Sequence, residues 1–353
     1  MLTIPDRAGP HDPLPTTPAR RPSSLRRTSS IDSSRPDGLD VDVRVDGRAR
    51  DLLTDGSGAV AAAKEAHLAA VIDHARTLVS AVADPPVGGF DDLVGIPVAS
   101  GWRARAADAL RIDEHQDPLL NLLVDDLPGA SLVSGVALQA AHALPAASPA
   151  MREYVLAAAD ICAGWVADGS MLEAFRTHDQ MPAPVGPPAP VLEREDDPQA
   201  WHPMAALTPH ATRRRRLLDL WAETDGASTH AFEAHFRDSH VAGDGHEQVV
   251  HEYLVTGRID ERTRTFTSVE AEARVLPWVE CPNALASAGR LVGTQIGDLR
   301  ARVRTEFVGV STCTHLNDTL RSLADIEPWL DLMAAPDTMT RRNTMTRRTR
   351  CST

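Results

Sequence analysis

The sequence predicts an α+β fold: two related antiparallel-sheet-plus-helices domains, a degenerate tandem duplication, with an intervening helix and a proline-rich linker. Three observations predict it. Stretches of strict apolar/polar alternation, the period of a half-buried strand, come in two groups. Each group gives way, after a proline, to apolar residues spaced three and four apart, the period of an amphipathic helix. Both halves also run in one order: an arginine-containing start, strands, a proline, Leu-Val-Gly, then a helix with a spaced arginine pair. Leu93-Val94-Gly95 matches Leu291-Val292-Gly293, Trp102-Arg103-Ala104-Arg105 matches Leu299-Arg300-Ala301-Arg302, and Leu120-Asn121 can be laid on Leu316-Asn317.

In chain order, residues 1–22 are rich in Pro, Thr and Arg and read as a disordered arm. The degenerate first copy spans 23–145. Its first clear strand is Leu39-Asp40-Val41-Asp42-Val43-Arg44-Val45-Asp46, with the three valines facing a core. Strands over residues 66–72 and 77–83 follow, joined by the turn Asp73-His74-Ala75-Arg76, which makes an antiparallel meander. Gly56-Ser57-Gly58 is a turn, not a phosphate cradle. After Pro85-Pro86, Trp102, Ala106, Ala109 and Leu110 mark the inner stripe of a helix. Residues 146–180 form a helical insertion: Ser148-Pro149 supplies an N-cap and a first-turn proline, and the helix runs to about Phe175, with Gly164 and Gly169 as points of interruption. Cys162 lies on its apolar stripe, as a structural thiol would. Residues 181–212 are a proline-dense linker or a segment wrapped over the surface.

The second copy spans 213–333. Arg213-Arg214-Arg215-Arg216 opens it, expected on the solvent side of an edge strand. In residues 230–240 alternation puts His230, Phe232, Ala234, Phe236, Asp238 and His240 on one face, so a carboxylate and an imidazole extend a face begun by two core phenylalanines. Residues 248–256 put Val249, His251, Tyr253 and Val255 on one face, and a further strand covers 265–275. His246-Glu247-Gln248-Val249-Val250-His251 misses the zincin spacing by one residue and sits in a strand, so it is rejected. Cys281-Pro282 leads into helices whose inner face includes Ile296, Leu299, Val303 and Phe307. Residues 334–353 are repetitive and basic and read as a disordered tail, with Cys351 incidental.

The chain has 353 residues, 42% hydrophobic and 24% charged, the balance of a globular class with room for about two domains. A formal net charge of −13 disfavours nucleic acid and anionic membrane as partners. A small molecule or a second copy of the chain remains as a partner class. Lys64 is the only lysine, which leaves lysine-based chemistry a single, poorly placed candidate. Four scattered cysteines are too few for a disulfide scaffold and suit a reducing compartment. No apolar h-region follows the N-terminal arginines and no later run of about 18 apolar residues is evident, so the cytoplasm is the expected location.

The sharpest chemical signal is Ser311-Thr312-Cys313-Thr314-His315-Leu316-Asn317. A cysteine and a histidine two apart meet the start of an amphipathic helix, where a thiol would feel the positive end of the helix dipole and could have a lowered pKa. In the duplication alignment Pro85 lies opposite Cys281, Asp117 opposite Cys313 and Leu119 opposite His315, which assigns any chemistry to the second copy alone.

Residues 213–330 resemble a bacterial family catalogued as domain of unknown function 2889. The matching features are the arginine-rich opening strand, Asp238-Ser239, the strand histidine His251, Cys281-Pro282, Leu-Val-Gly, and Cys313-Thr314-His315-Leu316. The longer strings RRRR, FRDSH, HEYLV and STCTHLNDTLRSL are similar to an actinobacterial-type branch with an extended N-terminal half. The family pattern has glycine before Cys-Thr-His-Leu where this chain has Thr312. The resemblance implies no established activity, but it joins Asp238, His251, Cys281, Cys313 and His315 into one set.

Three readings follow. In the first, Cys281, Cys313, His315 and His251 hold zinc or iron, with Asp238 as ligand or as acceptor for a ring N–H. No Cys-x-x-Cys knuckle is present, so convergence must come from the fold. In the second, Cys313 is a nucleophile with His251 as the better-placed base, or His315, and Asp238 or His240 orienting the base. In the third, the module is non-catalytic, a ligand-binding or assembly unit with structural cysteines and histidines. Whether the chain is an enzyme is left open by the sequence.

Overall fold

The computed structural model describes residues 2–112, 117–141, 147–223 and 228–334. Four strands open the chain, β1 (Ser24–Ser34), β2 (Val43–Thr54), β3 (Val60–Ile72) and β4 (Leu78–Asp84). Helices α1 (Trp102–Ala109), α2 (Pro118–Val133), α3 (Gly135–Ala140), α4 (Pro149–Ala157) and α5 (Ser170–His178) follow. The second half repeats the pattern with β5 (Thr212–Ala222), β6 (Thr229–Val241), β7 (Glu247–Asp260) and β8 (Thr265–Val275), then α6 (Leu299–Glu306), α7 (Thr314–Ser322) and α8 (Ile326–Ala334).

The α+β class is as expected, but the two expected sheets are one. The strands pair antiparallel in the order β4-β3-β2-β1-β5-β6-β7-β8, which runs outward from the β1–β5 junction in chain order on both sides. β1 and β5 pair over nearly their whole length, Arg26 opposite Asp219 and Asp32 opposite Arg213. That junction overturns the expectation for the arginine stretch. β5 is central, and Arg213, Arg214, Arg215 and Arg216 are all buried. They can be, because the acidic excess of the chain supplies their partners: Asp32 for Arg213, Asp238 for Arg214, Glu193 for Arg215 and Asp126 for Arg216.

Alternation sends the side chains of β5 to two different layers. Arg214, Arg216, Leu218 and Leu220 face the helices, where two apolar cores form. One packs β1–β4 against α1 and α2 through Leu68, Trp102, Leu123 and Leu127. The other packs β5–β8 against the C-terminal helices through Phe232, Phe236, Tyr253, Leu316, Leu320 and Trp329. Between the cores runs a band of ion pairs: Arg27 with Asp51 and Asp325, Arg321 with Asp125 and Asp318, and Arg214 and Arg216 with the carboxylates around them. The other face of the sheet is covered by irregular chain. Trp201 packs on Leu217, His202 sits between Thr28 and Ser30 Oγ atoms at 2.9 and 2.8 Å, and Pro188 pairs with Gln248. The proline-rich segment is thus wrapped over the sheet.

Residues 2–22, expected to be a disordered arm, are tied down: Ile4 packs against the core on the helix side, and the stretch around Leu14 reaches this other face. His11 bridges to Val275, and the Leu14 N–H donates to Glu252 Oε2 at 3.1 Å, where His235 and Arg237 also meet that carboxylate. Backbone pairing and a buried carboxylate hold a segment whose composition has little apolar content. The single helix expected from Ser148 is three pieces: α4 stops at Ala157, Ala163–Trp165 makes one 3-10 turn, and α5 restarts at Ser170. Val41 lies outside β2 and is exposed, while Val43 and Val45 are buried as expected. One helical stretch, Pro118–Ala140, is long and apolar enough to cross a membrane, contrary to the sequence reading; here it is α2 and α3, mostly buried. The tail beyond residue 334, with Cys351, lies outside the described residues.

The two halves also share a detail of backbone geometry. Arg76 and Arg264 both take left-handed φ, 64° and 55°, in the turn before the last strand of each meander. Gly95 and Gly293 follow with φ of 80° and 81°, a conformation glycine adopts without strain. The Gly95 N–H donates to Leu78 O and the Gly293 N–H to Phe266 O, each at 2.8 Å.

Candidate functional site

α7 delivers the Cys313/His315 segment onto β6 and β7. Cys313 is its N-cap, with an extended backbone, so the helix starts at Thr314, and Asn317 Nδ2–H secures the turn by donating to Phe307 O at 2.8 Å. Leu316 and Leu320 then face the core and His315 points down at the sheet. On the sheet, register places Asp238 of β6 directly opposite His251 of β7. A bulge immediately after this pair shifts the register between Asp238 and Ser239, and pairing resumes with Ser239 opposite Val249.

The three side chains converge. His251 Nδ1 is 3.6 Å and His315 Nε2 3.7 Å from the same atom, Asp238 Oδ2, and one ligand atom from each residue lies within 4.8 Å of the others. The rings of His251 and His315 stack at 3.8 Å with 21° between their planes. His251 Nδ1 is buried and makes no hydrogen bond. The remaining nitrogen of His315, Nδ1, is 3.9 Å from Cys313 Sγ and 3.5 Å from Thr314 Oγ1.

Arg214 fixes the carboxylate. Its Nε–H and Nη2–H donate to Asp238 Oδ1 and Oδ2 at 2.9 and 3.0 Å, a two-pronged contact that leaves each oxygen a further lone pair. Burial pushes the Asp238 carboxyl up, but the Arg214 charge and the two imidazoles outweigh it and hold the group well below the usual carboxylate range. His315 moves down from its ordinary value: burial and the neighbouring His251 disfavour its charged form more than Asp238 favours it. At neutral pH the cluster therefore holds an ionised carboxylate beside a neutral His315 imidazole.

The thiols behave differently from the expectation. The backbone N–H groups of His315 and Leu316 do favour the Cys313 thiolate, as a helix start should, but burial outweighs them and raises the thiol. Burial also raises Cys281 well above its ordinary value and pushes Cys162 up to about 12, with the neighbouring thiols adding to both shifts. Tyr253, fully buried, faces the same sulfurs. The imidazole next to Cys313 is that of His315, with His251 stacked on it, which reverses the preference for His251 as base.

Of the set singled out in the sequence, Asp238, His251 and His315 form the cluster, Cys313 stands at its edge, and Cys281 lies beyond Cys313 among the thiols. His240 is buried on the same face of β6 with Nε2 unpaired, and burial lowers it to about 4. Sequence reasoning missed Arg214 as the anchor of Asp238, and Asp318 and Asp126 as its counter-charges at 3.4 and 3.8 Å. The available signal was the one buried aspartate two strand positions from Phe236, which demanded a cation on a neighbouring strand.

Neither a curated protein nor a solved structure matches the chain. Residues 212–328 match the model of a family described as protein of unknown function (DUF2889), and this stretch contributes every residue of the cluster. The match to that family covers the C-terminal part of the chain.

Proposed function

We propose that Asp238, His251 and His315 hold a divalent first-row metal, zinc or iron, and that this is the working site of the chain. The observation that carries the reading is the convergence of two imidazole nitrogens on one oxygen of an ionised carboxylate, one of those nitrogens buried without a hydrogen bond. Two histidines and one carboxylate are a donor set for such ions that leaves coordination positions open. If the Nδ1–H of His315 is directed at Cys313 Sγ, Nε2 presents its lone pair to the site, and the thiol orients the ligand. A metal held this way would act as a Lewis acid on a small molecule bound in its open positions.

The test is elemental mass spectrometry on untagged protein, comparing wild type with His251→Gln and His315→Gln. The reading requires near-stoichiometric metal in the wild type and its loss in both variants. Metal absent from wild type after growth with zinc and iron, or retained by both variants, overturns it.

A second reading is favoured by the line Cys313 Sγ, His315 Nδ1, His315 Nε2, Asp238 Oδ2, with gaps of 3.9 and 3.7 Å: a thiol nucleophile with its base and an orienting carboxylate. Burial of the thiol and its raised pKa weigh against it. The matched turns and the outward-running strand order support descent of both halves from one duplicated unit. In that alignment the N-cap Asp117 of α2 stands where α7 has Cys313, and Leu119 where α7 has His315, so α2 carries neither the thiol nor the imidazole of α7.

A further inference from the structure

We propose that Asp126 and Gly129 of α2, in the first half of the chain, are positioning residues for the site in the second half, acting through Arg214; the inference rests on the metal reading above. Arg214 presents Nε and Nη2 to Asp238 and turns Nη1 toward Asp318 Oδ2 at 3.4 Å and Asp126 Oδ1 at 3.8 Å. Asp126 is 2% exposed and its ion-pair partners, Arg214 and Arg216, both belong to β5. Arg216 grips it with two nitrogens, Nη2–H donating to Oδ1 at 2.8 Å. Gly129 is three residues on, on the same side of the helix. A methyl group there would lie 2.6 Å from Arg214 Cζ, so the guanidinium occupies the space a side chain would take.

Both features bear on a cation at Asp238. The guanidinium on the far side of the carboxylate repels such a cation, and Asp126 and Asp318 offset that repulsion. Asp126 and the bare face at Gly129 also fix where the guanidinium lies, and with it the rotation of the carboxylate that the two imidazoles face. The first half, whose described residues form no such cluster of their own, thus completes the site by contributing a counter-charge and a seat.

The experiment is Co(II) titration of the untagged full-length protein, followed by the visible absorption of the bound ion, in wild type, Asp126→Asn, Asp126→Glu and Gly129→Ala. Asp126→Asn should weaken Co(II) binding by roughly tenfold or more, the scale of one charge lost in a partly polar interior. Asp126→Glu should recover most of it. Gly129→Ala changes no charge and displaces the guanidinium; in protein whose circular dichroism matches wild type it should weaken binding and alter the Co(II) spectrum. Wild-type affinity and spectrum in both Asp126→Asn and Gly129→Ala overturn the positioning role and leave the metal reading standing. Failure of wild type to bind Co(II) overturns both.

Discussion

Asp238→Asn keeps the shape of the side chain and removes its charge. Asp238 is fully buried, and each of its oxygens accepts one N–H of Arg214. Removing one partner of a buried ion pair costs about 3–5 kcal/mol, most of it the penalty of leaving the other charge uncompensated. Arg214 keeps Asp318 at 3.4 Å and Asp126 at 3.8 Å, and the asparagine oxygen still accepts one N–H, so the loss should fall near the lower end, about 3 kcal/mol. Urea unfolding followed by tryptophan fluorescence, in chelator so that bound metal does not contribute, measures it. The pH dependence has a definite sign. The folded-state pKa of Asp238 lies below its unfolded value, so its contribution is present above the unfolded pKa and is lost as pH falls through the folded one. The gap between wild type and variant should stay constant from pH 7 to about 5 and narrow only below about pH 4. A gap under about 1 kcal/mol at pH 7, or one that closes between pH 7 and 5, would refute the ion-pair account.

Two further outcomes follow from the same geometry. Because burial raises the Cys313 thiol, a thiol reagent at pH 7.5 should label native Cys313 at least about 100-fold more slowly than the urea-unfolded chain; rapid labelling of the native residue would instead favour the nucleophile. Glu252→Gln should cost about 3 kcal/mol and release the N-terminal segment, since that carboxylate takes His235, Arg237 and the Leu14 N–H. Hydrogen exchange reads this directly: the Leu14 amide loses protection in the variant, and unchanged exchange contradicts the clamp.

Much of the site was readable from side-chain periodicity. The alternation that put Asp238 beyond Phe236, and the one that put His251 beside Tyr253, hold in β6 and β7, and strand pairing then sets them opposite each other. The Cys-x-His at a helix start was readable because a helix ends its first turn with defined directions. What was not readable is carried by long-range ion pairs. β1 and β5 are polar strands buried by salt bridges, so their sequence, SLRRTSSIDSS and TRRRRLLDLWA, lacks the apolar rhythm that marks a core strand. The pairing of Arg214 with Asp126 spans two halves and has no local signature. For Cys313, position at a helix start suggested activation, but burial, a property of the whole fold, dominates the thiol.

The most direct measurement is an anomalous diffraction experiment at the zinc or iron edge on crystals of untagged protein grown with that metal. The account predicts one strong peak about 2.0–2.2 Å from Asp238 Oδ2, His251 Nδ1 and His315 Nε2. A peak held by the sulfurs of Cys281 and Cys313 instead, or no peak at the three residues with metal in excess, would contradict it.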